Sequence, residues 1–193
     1  MAETYLAWNG EVVGDPRARF LAALAERLQD GDRLLDLGCG AGVPSTQTPA
    51  ERFDVVGIDA SEAQIRLARA NVPGASFRRA DMLETTFPAA SFAAVTAFYS
   101  ISHVPREQHG ELLRRVATWL KPGGSFLAVL GAGDLPDWTG EWLGVPMFFS
   151  SHGPAENRRL LRAAGFALVL DDVVSMQEPD GEVSFQWVIA EKR

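Results

Sequence analysis

The chain has 193 residues, 47% of them hydrophobic and 22% charged, which suits one domain with a sizeable core and leaves too little for two. Its net charge of -7 has the wrong sign for a protein that gains affinity by neutralising phosphates, so nucleic acid is not expected as a partner. The single cysteine, Cys39, excludes an internal disulfide, and one thiol with three scattered histidines makes no zinc pattern. The first residues lack a basic segment, and no apolar run approaches the ~18 residues of a membrane span. The expectation is a cytoplasmic protein without membrane contact, one domain over 1–193, working as a monomer or homodimer.

In chain order, a segment over 1–14 leads to Asp15-Pro16, which can supply an N-cap and a first helical residue. Phe20, Leu21, Leu24 and Leu28 then recur on one face until Asp30-Gly31 ends a covering helix. Apolar-rich runs bounded by turn residues predict strands over Arg33 to Leu37, Val55 to Asp59, Phe92 to Phe98, Ser125 to Leu130 and Ala167 to Val174, with a shorter one over Ser76 to Arg79. Between them, Ser61-Glu62-Ala63-Gln64 reads as a capping box for a helix ending near Asn71. Pro105 opens another, with Leu112, Leu113, Val116 and Leu120 on one face and His109 expected toward solvent. Pro154 opens the last, which ends at Gly165. The run Glu182 to Ala190 alternates Val183, Phe185, Trp187 and Ile189 with mostly polar residues and predicts a strand with one face partly exposed. Alternating strands and helices imply an α/β fold with a mostly parallel sheet, whose ligand sits beyond the carboxyl ends of the strands.

The strongest signal is Leu34-Leu35-Asp36-Leu37-Gly38-Cys39-Gly40-Ala41-Gly42, a strand running into a glycine-rich turn that lets a ligand approach the backbone closely. A dinucleotide fingerprint would place its third glycine where Val43 stands. Asp59, at the end of the next strand, can accept from both hydroxyls of a ribose, or can serve as an ordinary strand-end cap. Asp81 can accept from an exocyclic amine while Met82 packs on a purine face, though a loop aspartate beside a core methionine fits the residues as well.

Taken in this order, Leu34 to Gly42, Val56 to Ser61, Ala80 to Leu83, Phe98 to Pro105 and Leu120 to Gly124 resemble the class I S-adenosylmethionine-dependent methyltransferases. The resemblance is to their small-molecule group related to ubiquinone and menaquinone biosynthesis enzymes. It implies a Rossmann-like, seven-stranded sheet with the last strand antiparallel and helices on both faces. It also implies S-adenosylmethionine as methyl donor and S-adenosylhomocysteine as product. By the same resemblance Asp36, Gly38, Cys39, Gly40 and Gly42 face the methionyl end of the donor. Asp59 with Ala60 takes the ribose, Asp81 and Met82 take adenine, and Phe98 stands beside them. Thr48-Pro49 departs from the pattern, since relatives continue an apolar helix there.

Absences narrow the chemistry within that group. Phe98-Tyr99-Ser100-Ile101 lacks the Pro-Pro-aromatic motif of base amine methylation, and Cys39 belongs to the donor turn rather than to a cytosine-C5 nucleophile. Phe87 to Arg106 contains no Asp or Glu, so no metal is expected. For the acceptor, Gly131 to Gly153 shows no clear periodicity but is too apolar for disorder. With Trp138, Trp142 and Met147 it reads as a lid or pocket wall over 131–153, joined by Tyr5 and Trp8 from the N-terminal segment and by Tyr99. His103 and His152 are the candidate general bases. The leading expectation is metal-independent methyl transfer to a small molecule. The alternatives are a nicotinamide-dependent oxidoreductase, which Val43 disfavours, and a donor-binding protein without transfer activity.

Overall fold

A computed structural model describes Thr4, Ala7, Trp8 and residues 10–193. The chain alternates strand and helix: α1 (Arg17–Ala25), β1 (Arg33–Leu37), α2 (Gln47–Ala50), β2 (Asp54–Asp59), α3 (Glu62–Asn71), β3 (Ser76–Arg79) and β4 (Phe92–Ala97). Two 3-10 turns, Ile101–His103 and Arg106–Gln108, precede α4 (His109–Trp119). Then follow β5 (Leu120–Gly131), β6 (Leu135–Trp142), β7 (Val145–Ser151), α5 (Pro154–Ala163), β8 (Phe166–Glu178) and β9 (Gly181–Lys192). Seven strands form one sheet in the order β3-β2-β1-β4-β5-β9-β8, while β6 and β7 pair apart from it. Strands β1 to β5 are mutually parallel, and β9 runs antiparallel to both β5 and β8. The order turns back at β1 and β4, so the carboxyl ends of these two strands flank a crevice.

Strand pleating explains how one sheet carries two cores. Leu35, Phe126, Ala128, Val188 and Ala190 join the cluster that includes Leu112, Leu113 and Val116 of α4 and Leu161 of α5. Their alternate neighbours Leu34, Leu127, Val129, Trp187 and Ile189 join Phe20, Leu21 and Leu24 of α1. Because both faces are covered, every residue of β4 is buried.

One local expectation is corrected, and two stretches without a clear pattern take a definite form. The last strand is only half as predicted: Gly181 to Phe185 alternates, but Gln186 to Ala190 is buried on both faces, because β9 lies inside the sheet between β5 and β8. Gln186 is tolerated there because it accepts from Asn157 Nδ2 at 3.0 Å and donates to Asp171 at 2.7 Å. The helix after the glycine turn shrinks to the four residues of α2. Pro44 and Pro49 limit it, and a hollow of about 310 Å³ separates it from α1. Gly131 to Gly153 holds an antiparallel hairpin, with Trp138 opposite Phe149 and Trp142 opposite Val145. Its first strand is almost wholly exposed, so no buried face imposed an alternation on the sequence.

Candidate active site

The site begins at the end of β1. Asp36 is 1% exposed and accepts from Thr46 Oγ1 at 2.6 Å and from Thr96 Oγ1 at 2.8 Å. Burial pushes its carboxyl above the usual carboxylate range, while the two hydroxyls and the nearby Arg17 charge pull the other way. Arg17 is itself buried, ion-paired with Asp15 at 2.9 Å, and its guanidinium lies 5.4 Å from both the Phe98 and Tyr99 ring centres.

In the glycine turn the amides of Gly38 and Cys39 both donate to the Ile58 carbonyl, at 2.8 and 2.9 Å, which folds the turn against the end of β2. Gly38 has φ +70°, and a Cβ there would come within 2.3 Å of Ser100 Cβ, so both conformation and space require glycine. The Ser100 hydroxyl donates to the Leu37 carbonyl at 2.6 Å, which fastens the segment after β4 to the segment after β1. Cys39 is buried, and burial holds its thiol far above the ordinary value, so it offers no nucleophile.

Asp59 ties the second turn to the first. One carboxylate oxygen accepts from the Gly40 amide at 3.0 Å and the other from the Ser61 amide at 2.8 Å. Desolvation raises its pKa, opposed chiefly by those two amides. The predicted capping box is therefore half formed. Ser61 Oγ accepts from the Gln64 amide at 3.4 Å, but the Ser61 amide is taken by Asp59. The freed Gln64 side chain turns inward, and its Oε1 is buried with no hydrogen-bond partner.

These residues surround a cleft of about 320 Å³ lined by Gly38, Gly40, Asp59, Ala60, Gln64 and Met82 on one side and by Phe98, Tyr99, His103, Trp142 and Met147 on the other. A second cavity of about 200 Å³ adjoins it, lined among others by Trp8, Tyr99, His103, Trp142, Phe149 and Phe185. Tyr99, His103 and Trp142 belong to both. Tyr99 reaches this shared wall with φ +55°, a conformation rare for an aromatic residue and tolerated where surrounding contacts hold it. Its hydroxyl donates to Asp15 at 3.2 Å and lies 3.5 Å from Met176 Sδ. Burial pushes the phenol upward, so Tyr99 stays protonated and is no general base. His103 Nδ1 lies 2.9 Å from the Phe148 carbonyl, and its ring packs 4.8 Å from that of Phe149.

The predicted residues divide accordingly. Gly38, Gly40, Asp59, Ala60, Met82 and Phe98 converge on the larger cleft, together with Met147, which had been assigned to the acceptor. Trp8, Tyr99 and Trp142 converge on the smaller cavity. Asp36, Cys39 and Gly42 shape the turn from beneath without lining either space. Asp81 is exposed, and its carboxylate accepts from the Leu83 amide at 2.8 Å. Trp138 is exposed and leans on Phe149 at 6.0 Å. His152 lines neither cavity; its Nε2 meets the Arg106 carbonyl at 3.1 Å and its ring packs 5.5 Å from His109. His109 is the clear correction: it is buried, with Nε2 2.9 Å from the Val104 carbonyl, not solvent-facing. Tyr5 lies outside the described residues. The sequence reading missed Gln64 as a cleft residue, and it missed Met176, Glu178 and Phe185 of the smaller cavity. Among the described residues no group of three or more His, Cys, Asp or Glu could hold a metal, and no helix is long and apolar enough to cross a membrane.

Residues 34–124 match the family model described as a methyltransferase domain. Over 104 residues, half of this chain, it is 39% identical to the 27-O-demethylrifamycin SV methyltransferase of Amycolatopsis mediterranei, covering 38% of that protein. Over 102 residues, again half of the chain, it is 37% identical to the demethylmenaquinone methyltransferase of Clavibacter sepedonicus, covering 40% of it. The matches thus span less than half the length of these relatives. Among solved structures, the 1,6-didemethyltoxoflavin-N1-methyltransferase of Burkholderia thailandensis, with 1,6-didemethyltoxoflavin and S-adenosylhomocysteine bound, shares the fold at a TM-score of 0.70 and 22% identity. That likeness covers 92% of this chain and 77% of the other. Residues 34–124 thus match a methyltransferase domain, and the chain shares the fold of a structure that holds S-adenosylhomocysteine.

Proposed function

We propose that the protein transfers a methyl group from S-adenosylmethionine to a small molecule, without a metal, and releases S-adenosylhomocysteine. The observation that carries this reading is the pair of adjoining cavities that share Tyr99, His103 and Trp142 as a common wall. The larger cleft suits the donor. Its glycine turn exposes backbone, Asp59 presents a carboxylate, Met82 an apolar side chain, and Gln64 Oε1 a buried acceptor still lacking a donor. When bound there, the donor supplies an electrophilic methyl on a sulfonium.

The chain's own part is then mostly alignment, since holding two reactants in line removes several kcal/mol of barrier. Asp59 and Gln64 accept from hydroxyl or amine groups, and Met82 and Phe98 confine an adenine-sized ring. Asp36 braces the turn from beneath through Thr46 and Thr96, and Cys39 and Gly42 contribute backbone. Asp81 borders this end from the loop after β3. On the acceptor side the hairpin over 131–153 closes the smaller cavity as a lid carrying Trp142, with Trp8 of the 1–14 segment against it and Trp138 on its outer face. His103 stands at the junction. A carbonyl only accepts, so the Phe148 contact places the imidazole proton on Nδ1 and leaves Nε2 with a lone pair that can take a proton from the acceptor. His152, held by the Arg106 carbonyl, serves the fold of this segment rather than the proton transfer.

The working form in this reading is a single cytoplasmic domain over 1–193, monomeric or homodimeric, with no nucleic-acid or membrane partner. Thermal unfolding with S-adenosylhomocysteine, and separately with oxidised and reduced nicotinamide cofactors, tests the donor. A ligand at about 100 times its dissociation constant adds about 2.7 kcal/mol, a rise of roughly 5–10 °C for a chain of this size. A shift with S-adenosylhomocysteine alone supports the proposal, and a shift only with a nicotinamide cofactor overturns it. Release of S-adenosylhomocysteine in an acceptor screen then separates an enzyme from a donor-binding protein without transfer activity.

A further inference from the structure

The smaller cavity has a charge character of its own. Its walls are aromatic rings set roughly at right angles: Trp8 meets Trp142 at 5.3 Å and 77°, Trp142 meets Phe149 at 5.7 Å and 88°, and Tyr99 meets Phe185 at 5.0 Å and 80°. The titratable groups that line it are Tyr99, His103 and Glu178, with no lysine or arginine among the described lining residues. Glu178 is half-buried at the end of β8, and among the described residues no side chain pairs with it. Burial and the neighbouring Asp180 both disfavour its charged form, so a cation placed beside it relieves a cost the folded chain carries. Aromatic rings with one carboxylate and no lysine or arginine form the environment that holds an ammonium group and disfavours a carboxylate or phosphate.

We infer that the acceptor is a primary or secondary amine on a single aromatic or similarly flat apolar body. This inference rests on the reading of the two cavities as donor and acceptor sites. The size agrees, since an apolar cavity of about 150 Å³ holds benzene and this one measures about 200 Å³. The amine binds as its ammonium form, stabilised by Glu178 and the rings, and loses one proton to His103 Nε2. Its nitrogen lone pair then forms the new N–C bond to the methyl carbon while the C–S bond breaks, its electron pair going to sulfur. The products are a methylated ammonium and a neutral thioether, and the proton on His103 passes to solvent. Glu178 is a specificity residue in this scheme and takes no part in the transfer.

Three probes with one ring and the same chain length isolate the charge: 2-phenylethylamine, 2-phenylethanol and phenylacetate. Calorimetric titration of the full chain with each, with and without S-adenosylhomocysteine, is the experiment. The amine is expected to bind about tenfold or more tighter than the alcohol, and the carboxylate weaker than the alcohol. Glu178→Gln should bring amine and alcohol within about threefold of each other while leaving S-adenosylhomocysteine affinity unchanged. Should that variant not fold, the order of the three probes on the native chain decides the question alone. An alcohol or carboxylate that binds as tightly as the amine, or an amine that does not bind, overturns the inference. Failure of S-adenosylhomocysteine to bind instead overturns the donor reading, and the charge order of the probes on the free protein still decides this one.

Discussion

The imidazole of His103 and the carbonyl of Phe148, 2.9 Å apart, join the turn after β4 to the second strand of the hairpin. One hydrogen bond thus does two things. It fixes the tautomer that leaves Nε2 basic, and it ties the hairpin to the residue at the junction of the two cavities.

His103→Gln removes the base while keeping a side chain of similar reach. With an acceptor from the screen, turnover is expected to fall about 100-fold or more, the scale of general-base catalysis. S-adenosylhomocysteine affinity, measured by calorimetry, should stay within about twofold. Unchanged turnover would mean that the acceptor sheds its proton without the imidazole.

Asp59→Ala should act on affinity instead. Asp59 holds the Gly40 and Ser61 amides, one on each oxygen, so its loss both loosens the glycine turn and removes the carboxylate from the cleft. Hydrogen bonds to a charged group are worth about 1.5–3 kcal/mol, so S-adenosylhomocysteine should bind roughly 10- to 100-fold more weakly. Asp59→Asn retains one acceptor oxygen and should fall between the two. An affinity unaffected by Asp59→Ala would remove Asp59 from the donor site.

How far such a site is legible in sequence depends on what constrains each residue. The Gly38 turn and Asp59 stand out because a backbone of positive φ and a strand-end carboxylate are local demands, written over a few consecutive positions. The buried, mutually parallel strands stand out for the same reason. Glu178 and Phe185 do not, since only the pairing of β8 with β9 brings them to the hairpin and the N-terminal segment. The hairpin itself left no pattern, because an exposed strand is free to vary. His109 is a different case. It precedes Leu112, Leu113 and Val116 by three, four and seven positions, which places it on the apolar face of α4, so its burial was readable in the helical spacing. Gln64 was drawn to a capping role by its position, but Asp59, only two residues before Ser61, takes the Ser61 amide instead.

The Asp36 carboxyl separates stability from function. Its folded pKa is raised above the unfolded value of 3.8. The stability it contributes is therefore complete below 3.8 and is lost as pH rises through the folded value. Above 3.8 the group opposes folding increasingly as pH rises, so at pH 7 Asp36→Asn should melt at a higher temperature than the native chain, with the difference narrowing as pH falls. S-adenosylhomocysteine should bind the variant more weakly, because Asn offers one acceptor oxygen where Thr46 and Thr96 each have one, so one of the two hydroxyls that brace the turn from beneath loses its partner. A lower melting temperature at pH 7 would show that those hydroxyls and Arg17 more than offset the burial.

His109 carries the opposite sign. Burial lowers its pKa below 6.5, and its Nε2 donates to the Val104 carbonyl, which also accepts from Ser150 Oγ at 2.6 Å. The neutral ring's contribution to stability is complete above 6.5 and is lost as pH falls from there through the lower folded value. His109→Gln keeps a donor but does not titrate. Urea unfolding at pH 7.5 and 5.5 should therefore show the native chain losing more stability over that interval than the variant, by at most about 1.4 kcal/mol per pH unit for one proton. Asp36, Asp59 and Glu178, whose raised values favour the fold as pH falls, are common to both proteins and drop out of the difference. Equal losses in the two proteins would mean that the ring protonates as readily folded as unfolded, and that the Val104 carbonyl is held by Ser150 alone.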